Sequence, residues 1–166
     1  MIRKLFKRDN KTIKIKSPVT GMLMPIEEVK DETFASKTLG EGVAIIPGRG
    51  SISAPFDGKV LMIAQTKHAI GLESEDGIQV IIHIGIDTVK RGGEGFSVEI
   101  NKDTKHVKKG QLLVSFDNER MIKEGVDTTV LLIMTEVNGH ILSQLLTKGE
   151  VSEGESNVSE YIKKKV

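Results

Sequence analysis

The sequence has no cysteine and no tryptophan, and it has one tyrosine and four prolines among 166 residues. Without cysteine the chain has no disulfide bond, no thiolate metal ligand and no cysteine nucleophile. No apolar run is long enough to span a bilayer. The first apolar patch is short and interrupted by charge, unlike a signal peptide. Together these absences predict a cytoplasmic protein.

Charge is nearly balanced over the whole chain, with a formal net value of +1, but it is unevenly distributed. Residues 1–16 carry seven basic residues and one acidic residue, a net +6, so the remainder has a net −5. A nucleic-acid binder usually has a basic patch on its folded body with aromatic residues nearby. An acidic body with five phenylalanines and one tyrosine therefore predicts no nucleic-acid partner.

The basic end of the chain predicts a flexible tail over residues 1–12, followed by one domain over residues 13–166. Ile2, Leu5 and Phe6 fall on one face of a helical turn and are surrounded by cations. This pattern makes residues 2–8 a candidate for weak contact with an anionic membrane surface. A solvated tail without such contact is the alternative.

From Thr12 onward, short apolar runs alternate with Gly, Asp, Asn and Pro, which predicts an all-β domain. We expect a compact antiparallel β-sandwich or barrel with one or two short helical turns, over 117–125 and 31–37. Asp117 is the expected N-cap of the first, and Gly125 its C-terminal stop. The predicted strands are 13–16, 20–24, 43–46, 51–53, 58–65, 68–74, 78–84, 96–99, 112–115, 129–133 and 140–142.

Two similar segments each read as a turn that leads into a strand. They are Ser-Pro-Val-Thr-Gly-Met-Leu at 17–23 and Ala-Pro-Phe-Asp-Gly-Lys-Val at 54–60. Residues 107–113 form another turn-to-strand element, and residues 161–166 read either as a last strand or as a solvated tail. These recurrences favour a sandwich built from similar hairpins.

The most informative stretch is 78–88, where apolar residues alternate with the rest. One face carries Ile78, Val80, Ile82, Ile84 and Ile86, a stripe that predicts a core-facing side. The opposite face places His83 and Asp87 around a glycine. A histidine there can change protonation or act as a nucleophile near neutral pH.

A second histidine, His68, is expected to lie near His83. Residues 68–74 and 78–84 read as a hairpin joined at Glu-Asp-Gly 75–77, with Leu72 or Gly71 opposite Val80. Thr66 is two residues before His68, so on an extended chain its hydroxyl can orient the imidazole. Two unrelated surface histidines are the alternative. His106 and His140 are expected to be surface residues.

Three kinds of chemistry fit such a pair. A metal site needs three or four ligands, for which His68, His83 and Asp87 form a marginal set. A general-base pair for hydrolysis needs a nucleophile or metal that the sequence does not offer. A phosphoryl acceptor needs one exposed neutral imidazole nitrogen and donors for the phosphoryl oxygens, a requirement met by His83 as nucleophile and His68 as donor.

The chain resembles the IIA component of the glucose-type sugar phosphotransferase system from about Ile13 to Lys164. Many blocks in order carry this resemblance, which is more specific than any single motif. They are Ser17-Pro18-Val19-Thr20-Gly21, Phe34-Ala35, Gly40-Glu41-Gly42-Val43-Ala44-Ile45, Ala54-Pro55-Phe56-Asp57-Gly58, Thr66-Lys67-His68-Ala69, His83-Ile84-Gly85-Ile86-Asp87-Thr88, Gly93-Glu94-Gly95-Phe96 and Val107-Lys108-Lys109-Gly110.

The resemblance implies a phosphocarrier without a cofactor. Members of this family take a phosphoryl group from the small carrier HPr and pass it to a cysteine of a IIB domain, which phosphorylates sugar during import by IIC. This chain has neither cysteine nor an apolar spanning run, so the implied IIB partner is a separate polypeptide. The unphosphorylated form of such proteins also binds regulatory target proteins.

The resemblance also implies roles for individual residues. His83 matches the residue phosphorylated on Nε2, and the backbone carbonyl of Gly85 would hold its Nδ1–H. His68 matches the histidine that stabilises the phosphoryl group, and Thr66 the residue that orients it. Asp87 would lie at the edge of the site and meet a cationic partner residue.

Three apolar positions are implied to contact partners. Phe34 matches part of the rim around the histidines. Relatives often have phenylalanine where this chain has Ala64 and Ile81, so partner affinity is expected to differ.

Three alternatives remain. His83 and Asp87 are spaced like a ligand pair of zinc-dependent hydrolases with a related β fold. The repeated Pro-x-x-Gly turns resemble biotin or lipoate carriers, although no lysine has the required setting. A regulatory binding module without phosphotransfer is the third. The phosphocarrier requires no metal, although His68 and His83 are two candidate ligands at a partner interface.

Overall fold

The structure is a computed structural model that describes residues 11–164. The predicted tail over residues 1–12 and its membrane contact through residues 2–8 fall mainly outside this range and stay predictions. At the boundary, Thr12 already belongs to the first strand. In the described residues, no helix is long and apolar enough to cross a membrane.

Strands account for most of the regular structure, which confirms the predicted all-β, antiparallel fold. The strands are β1 (Thr12–Lys16), β2 (Gly21–Met24), β3 (Glu41–Pro47), β4 (Ser51–Ser53), β5 (Gly58–Ile63), β6 (Ala69–Ser74), β7 (Gln79–Ile84), β8 (Phe96–Val98), β9 (His106–Val107), β10 (Leu112–Phe116), β11 (Val130–Glu136), β12 (His140–Leu145), β13 (Gly149–Val151) and β14 (Asn157–Lys163).

Two short α-helices form where turns of helix were predicted. The helix α1 (Glu32–Ala35) begins after Asp31, whose side chain accepts a hydrogen bond from the Thr33 amide. The helix α2 (Asn118–Lys123) begins after Asp117, which caps it in the same way, and Gly125 follows its end with a φ of 80°. Two 3-10 segments, Ile26–Glu28 and Thr88–Arg91, complete the helical structure of the described chain.

Eight strands form one large sheet in the order β13-β2-β3-β11-β7-β6-β5-β9. Two smaller sheets, β1-β14-β12 and β4-β10-β8, pack their apolar side chains into the same core. The predicted core face is confirmed for Ile78, Val80, Ile82 and Ile84, which are at most 1% exposed. It is wrong for Ile86, which is buried in a separate apolar cluster with Phe34, because Gly85 at a φ of 79° breaks the alternation after β7. The outer face of β7 is therefore the one that carries His83.

A second, smaller apolar cluster lies on the outer face of the large sheet. It brings α1 and the Ile26–Glu28 segment onto β3 and β11, with Phe34 packed near Ala44, Leu131 and Ile133. Since Leu131 pairs directly with His83, this cluster covers one side of the histidine. The other side of His83 faces β6.

The two repeated Pro-x-x-Gly turns occupy equivalent places in the fold. The Lys16 amide donates to the Pro55 carbonyl, and the Ser53 amide donates to the Pro18 carbonyl, both at 2.9 Å. This reciprocal pairing relates the two turns by an approximate internal twofold.

The strands that follow the turns repeat the same relation. Gly21 begins β2 and pairs with Val151 of β13, while Gly58 begins β5 and pairs with Val107 of β9. Both glycines are required sterically, because an added Cβ would lie 2.0 Å from a carbonyl oxygen of the adjacent strand.

Two strands, β9 and β13, are absent from the predicted set, and most of the others differ from it at their ends. β9 and β13 are two and three residues long, too short for a periodic pattern to stand out. β14 begins at Asn157, four residues before the segment considered as a last strand, and it pairs with both β1 and β12. The last-strand interpretation of this segment is therefore correct up to Lys163.

Candidate functional site

The hairpin of β6 and β7 brings the two histidines together as predicted. Leu72 pairs with Val80, and Ala69 pairs with His83. The amide of Ile84 donates to the carbonyl of His68 at 2.7 Å, which extends the ladder by one residue. The two imidazole rings consequently lie 5.0 Å apart between centroids, edge to face.

His68 is held by its own turn. Thr66 Oγ1 lies 2.6 Å from His68 Nδ1, so the hydroxyl fixes the orientation of the ring. The turn itself closes through the Lys67 amide, which donates to the Ala64 carbonyl at 2.8 Å. Because Nδ1 is engaged by Thr66, Nε2 is the nitrogen of His68 that is available to a ligand.

The nitrogens of His83 differ in access. Its Nδ1 is buried and has no hydrogen-bond partner among the described residues. The imidazole as a whole is only half-buried, at the end of β7. A reacting group can therefore approach His83 through Nε2.

The backbone carbonyl of Gly85 lies beside His83 and acts on the imidazole as a hydrogen-bond acceptor that raises its pKa. No other group among the described residues accepts from the buried Nδ1 of His83. On the far side of the same peptide group, the Ile86 amide donates to the Asp127 carbonyl at 2.8 Å, which fixes the position of the peptide. The predicted role of Gly85 in holding Nδ1–H stays a prediction.

Both histidines favour the neutral form. Burial, with a smaller contribution from the neighbouring His68, lowers the pKa of His83 to about 4. The Gly85 carbonyl and the Asp31 carboxylate act in the opposite direction. Burial also lowers the pKa of His68, against the effect of the Thr66 backbone. At neutral pH the site therefore presents two neutral imidazoles.

A small cleft of about 200 Å³ opens beside His83 and has two carboxylates in its wall. Asp87, predicted at the edge of the site, is exposed there and adopts a left-handed φ of 57°. Asp31, which sequence reasoning did not assign to the site, is the second. The sequence indicated only a helical turn over residues 31–37, because the place of Asp31 beside His83 depends on packing of α1 across the sheet.

The three apolar residues predicted to contact partners are placed differently. Phe34 is only 7% exposed and lies 4.8 Å from His83 between ring centroids, so it mainly shields the imidazole. Ile81, two residues before His83 on β7, and Ala64, directly after β5, are both half-buried. Val89 was not predicted, yet it is 53% exposed and lines the same cleft as Asp31.

The zinc set considered from the sequence is not assembled. Within residues 11–164, no three His, Cys, Asp or Glu residues are grouped so that they could hold a metal ion. His68 and His83 supply two imidazoles, so a metal at this site would need a ligand from a partner. The other two histidines lie apart: His106 is exposed on β9, and His140 Nδ1 contacts the Val137 carbonyl at 2.9 Å.

Comparison with known proteins finds relatives over nearly the whole chain. Residues 13–139 match the family model for the phosphoenolpyruvate-dependent sugar phosphotransferase system, EIIA 1. The chain is 38% identical to the PTS system glucose-specific EIIA component of Oceanobacillus iheyensis, over 98% of this chain and 99% of that protein. The solved structure of glucose permease IIA from Mycoplasma capricolum matches with a TM-score of 0.83 and 33% identity, over 91% of this chain and 96% of that one.

Longer relatives contain a similar segment. The PTS system glucoside-specific EIICBA component of Staphylococcus carnosus is 45% identical over 85% of this chain. The glucose-specific EIICBA component of the same organism is 43% identical over 84% of this chain. The matched region is 20% of the length of each of these two proteins.

Proposed function

The chain belongs to the EIIA 1 family of the phosphoenolpyruvate-dependent sugar phosphotransferase system, and from this premise we propose that His83 is its phosphoryl acceptor. The observation that carries the proposal is the pairing of two neutral imidazoles, one with a buried Nδ1 and one oriented by Thr66. The phosphoryl donor would be phosphohistidine on HPr, and the acceptor a cysteine of a IIB domain on a separate chain. We also propose a cytoplasmic location, which suits both exchanges.

In the first step, Nε2 of His83 attacks phosphorus with its lone pair. The P–N bond to the donor histidine breaks, and the donor imidazole keeps that electron pair. Neutral His83 is the reactive form, and its low pKa keeps the imidazole unprotonated at cell pH. The proton on Nδ1 stays on the ring, and the Gly85 carbonyl is the nearby acceptor toward which it can turn.

His68 stabilises the transferred group. With Nδ1 engaged by Thr66, its Nε2–H can donate to a phosphoryl oxygen. The phosphoryl dianion in turn favours protonation of His68, which strengthens this contact. Reversal of these steps toward a cysteine thiolate releases the phosphoryl group from His83.

Asp31 and Asp87 support recognition of the partner. Their carboxylates flank the cleft beside His83, where a cationic side chain of the donor or acceptor can pair with both. Exposed Val89, together with Ile81 and Ala64, supplies the apolar part of the contact. Phe34 contributes mainly by shielding the imidazole, since so little of it is exposed.

The test is intact-mass measurement after incubation with phosphoenolpyruvate, Enzyme I and HPr. We expect one acid-labile phosphoryl adduct on the wild-type chain, none on His83→Ala and an unchanged adduct on the matched control His106→Ala. An adduct that persists in His83→Ala would overturn the assignment. So would its absence from the wild type when the same donor mixture loads another EIIA protein.

A further inference from the structure

A groove of about 840 Å³ runs along the outer edge of β5 and is separate from the cleft beside His83. One wall is β5 with the turn that follows it, and the other is the segment over residues 98–105. At one end the Val60 amide donates to the Lys105 carbonyl at 2.9 Å, which closes the two walls together. Beyond that bond the walls separate and leave the edge of β5 open.

The open edge has unused hydrogen-bonding groups at Ile63. The Ala64 amide donates to the Ala69 carbonyl, and Ile63 pairs with Ile70 in the same register. Because antiparallel pairs alternate, the amide and carbonyl of Ile63 point away from β6. On that side, β9 pairs with β5 only at Gly58 and Lys59, and neither group of Ile63 bonds to a turn or loop of the described residues. These groups lie in a half-buried position where a further strand can pair with them.

The side chains that line this edge are of two kinds, apolar residues packed against the core and lysines. Val60, Ile63 and Ile100 pack against the main core while remaining partly exposed in the groove. The lining also has three lysines, Lys67, Lys102 and Lys105, against a single acid, Asp103. Within the described chain, none of these lysines forms an ion pair.

We propose that this groove binds an extended acidic segment of a partner protein, which adds as a strand to β5 at Ile63. Alternate side chains of the added strand would face opposite ways, so apolar ones would cover Val60, Ile63 and Ile100. The acidic ones would face the lysine rim. The groove shares no residue with the cleft beside His83, but it includes Ala64, which the proposed function places in the partner contact. The test therefore measures strand pairing at Ile63 directly and not phosphoryl transfer.

The charge of the groove argues against two other occupants. A second copy of this chain paired edge to edge would bring two sets of the same three lysines together, which is unfavourable. The N-terminal residues 1–10 carry Arg3, Lys4, Lys7 and Arg8 against Asp9, so they are also basic. An acidic partner segment is the occupant with complementary charge.

The probe is a short peptide of alternating valine and glutamate, titrated into isotopically labelled full-length protein. Three matched peptides serve as controls: one with lysine in place of glutamate, and two N-methylated on one or the other edge. We expect the Ile63 amide to shift and to gain protection from hydrogen exchange, while the already bonded Met62 amide changes little. One N-methylated peptide should lose binding, because the strand uses only one edge.

Charge reversal supplies the second arm. Replacing two of the three rim lysines, Lys102→Glu with Lys105→Glu, should weaken binding of the glutamate peptide roughly tenfold and strengthen binding of the lysine peptide. Equal affinity of the two peptides for the wild-type chain would overturn the proposal, as would binding that leaves Ile63 unchanged or no binding at millimolar peptide. Protection of Ile63 that rises with protein concentration alone would assign the edge to a second copy and refute the acidic occupant.

Discussion

At its turn the β6–β7 hairpin pairs its polar groups, whereas at its open end it leaves some of them unpaired. In the turn, Ser74 Oγ accepts from the Ile78 amide at 3.1 Å, and Asn138 Nδ2 donates to the Asp76 carbonyl at 3.0 Å. At the open end, the buried Nδ1 of His83 lacks a partner. Two non-glycine residues there, Lys67 and Asp87, also adopt left-handed backbone conformations.

The difference shows where the fold tolerates conformational cost. Between the two ends, Ile70, Leu72, Val80 and Ile82 are at most 1% exposed and fix the strands in register. Left-handed non-glycine residues cost about 1 kcal/mol or more each and persist only where the surroundings determine them. The well-packed middle of the hairpin therefore supports a strained, partly unsatisfied end on which the proposed chemistry depends.

The largest effect is expected when His68 is replaced and His83 is kept. His68→Gln should still accept a phosphoryl group on His83, but onward transfer to a IIB domain should fall roughly 100-fold, because one stabilising donor is lost. Rapid-quench transfer assays with purified phospho-HPr and IIB measure both steps. Full onward transfer by His68→Gln would show that the second imidazole has no role in the reaction.

Replacing a glycine by alanine at each end of the hairpin should lower the free energy of unfolding by different amounts. In Gly85→Ala, the new Cβ would lie 2.4 Å from Thr88 Cγ2 at a φ of 79°, so we expect a loss of about 4 kcal/mol. In Gly77→Ala, at a φ of 84°, the Cβ would meet the Asn138 amide, which can move only by giving up its bond to the Asp76 carbonyl, so the loss should be about 2 kcal/mol. Urea unfolding measures both, and equal losses would contradict the comparison.

Acid should destabilise the open end through His83. Its pKa is about 4 in the folded state and 6.5 in the reference state, so below pH 6.5 the unfolded chain binds the proton more readily. Stability is complete above pH 6.5 and falls as the pH drops to about 4, by on the order of 3 kcal/mol. His83→Gln should lack this component, and His106→Gln should retain it. Identical pH profiles for wild type and His83→Gln would contradict the assignment.

Phosphorylation should change the protonation of His68 without affecting distant histidines. Burial lowers the pKa of His68 in the free protein, and a phosphoryl dianion on His83 should raise it. Imidazole resonances followed by NMR during pH titration of both forms measure this, with His106 as an internal control. A His68 titration that ignores phosphorylation would count against the proposed contact.

The smallest effect is expected at the turn. Asn138→Gly removes the amide that donates to the Asp76 carbonyl while keeping a residue that tolerates the φ of 46°. We expect a loss of about 1 kcal/mol in unfolding free energy and unchanged phosphoryl acceptance. A change in the rate of acceptance would mean that the turn and the histidine end are coupled.

The hairpin was predictable from the sequence because its signals are local. The alternation over 78–86 and the Glu-Asp-Gly turn together set the register, and the register places His68 beside His83. Asp31 shows what was not predictable. A helical turn was predicted over residues 31–37, but the position of Asp31 near His83 depends on contacts between segments distant in the chain.

One strand depended on long-range structure in the same way. β13 has only three residues and is defined by pairing with β2 rather than by its own pattern. That pairing has no signature within a short window of sequence.

The pairing of β1 with β14 sets a condition on folding during synthesis. Ile13 pairs with Tyr161, so the first strand has no partner until nearly all of the described chain has been translated. At ordinary ribosomal speed this delay is on the order of ten seconds. For that time β1, in which apolar and polar residues alternate, has no partner strand. The nascent chain is therefore open to chaperone binding and to premature association.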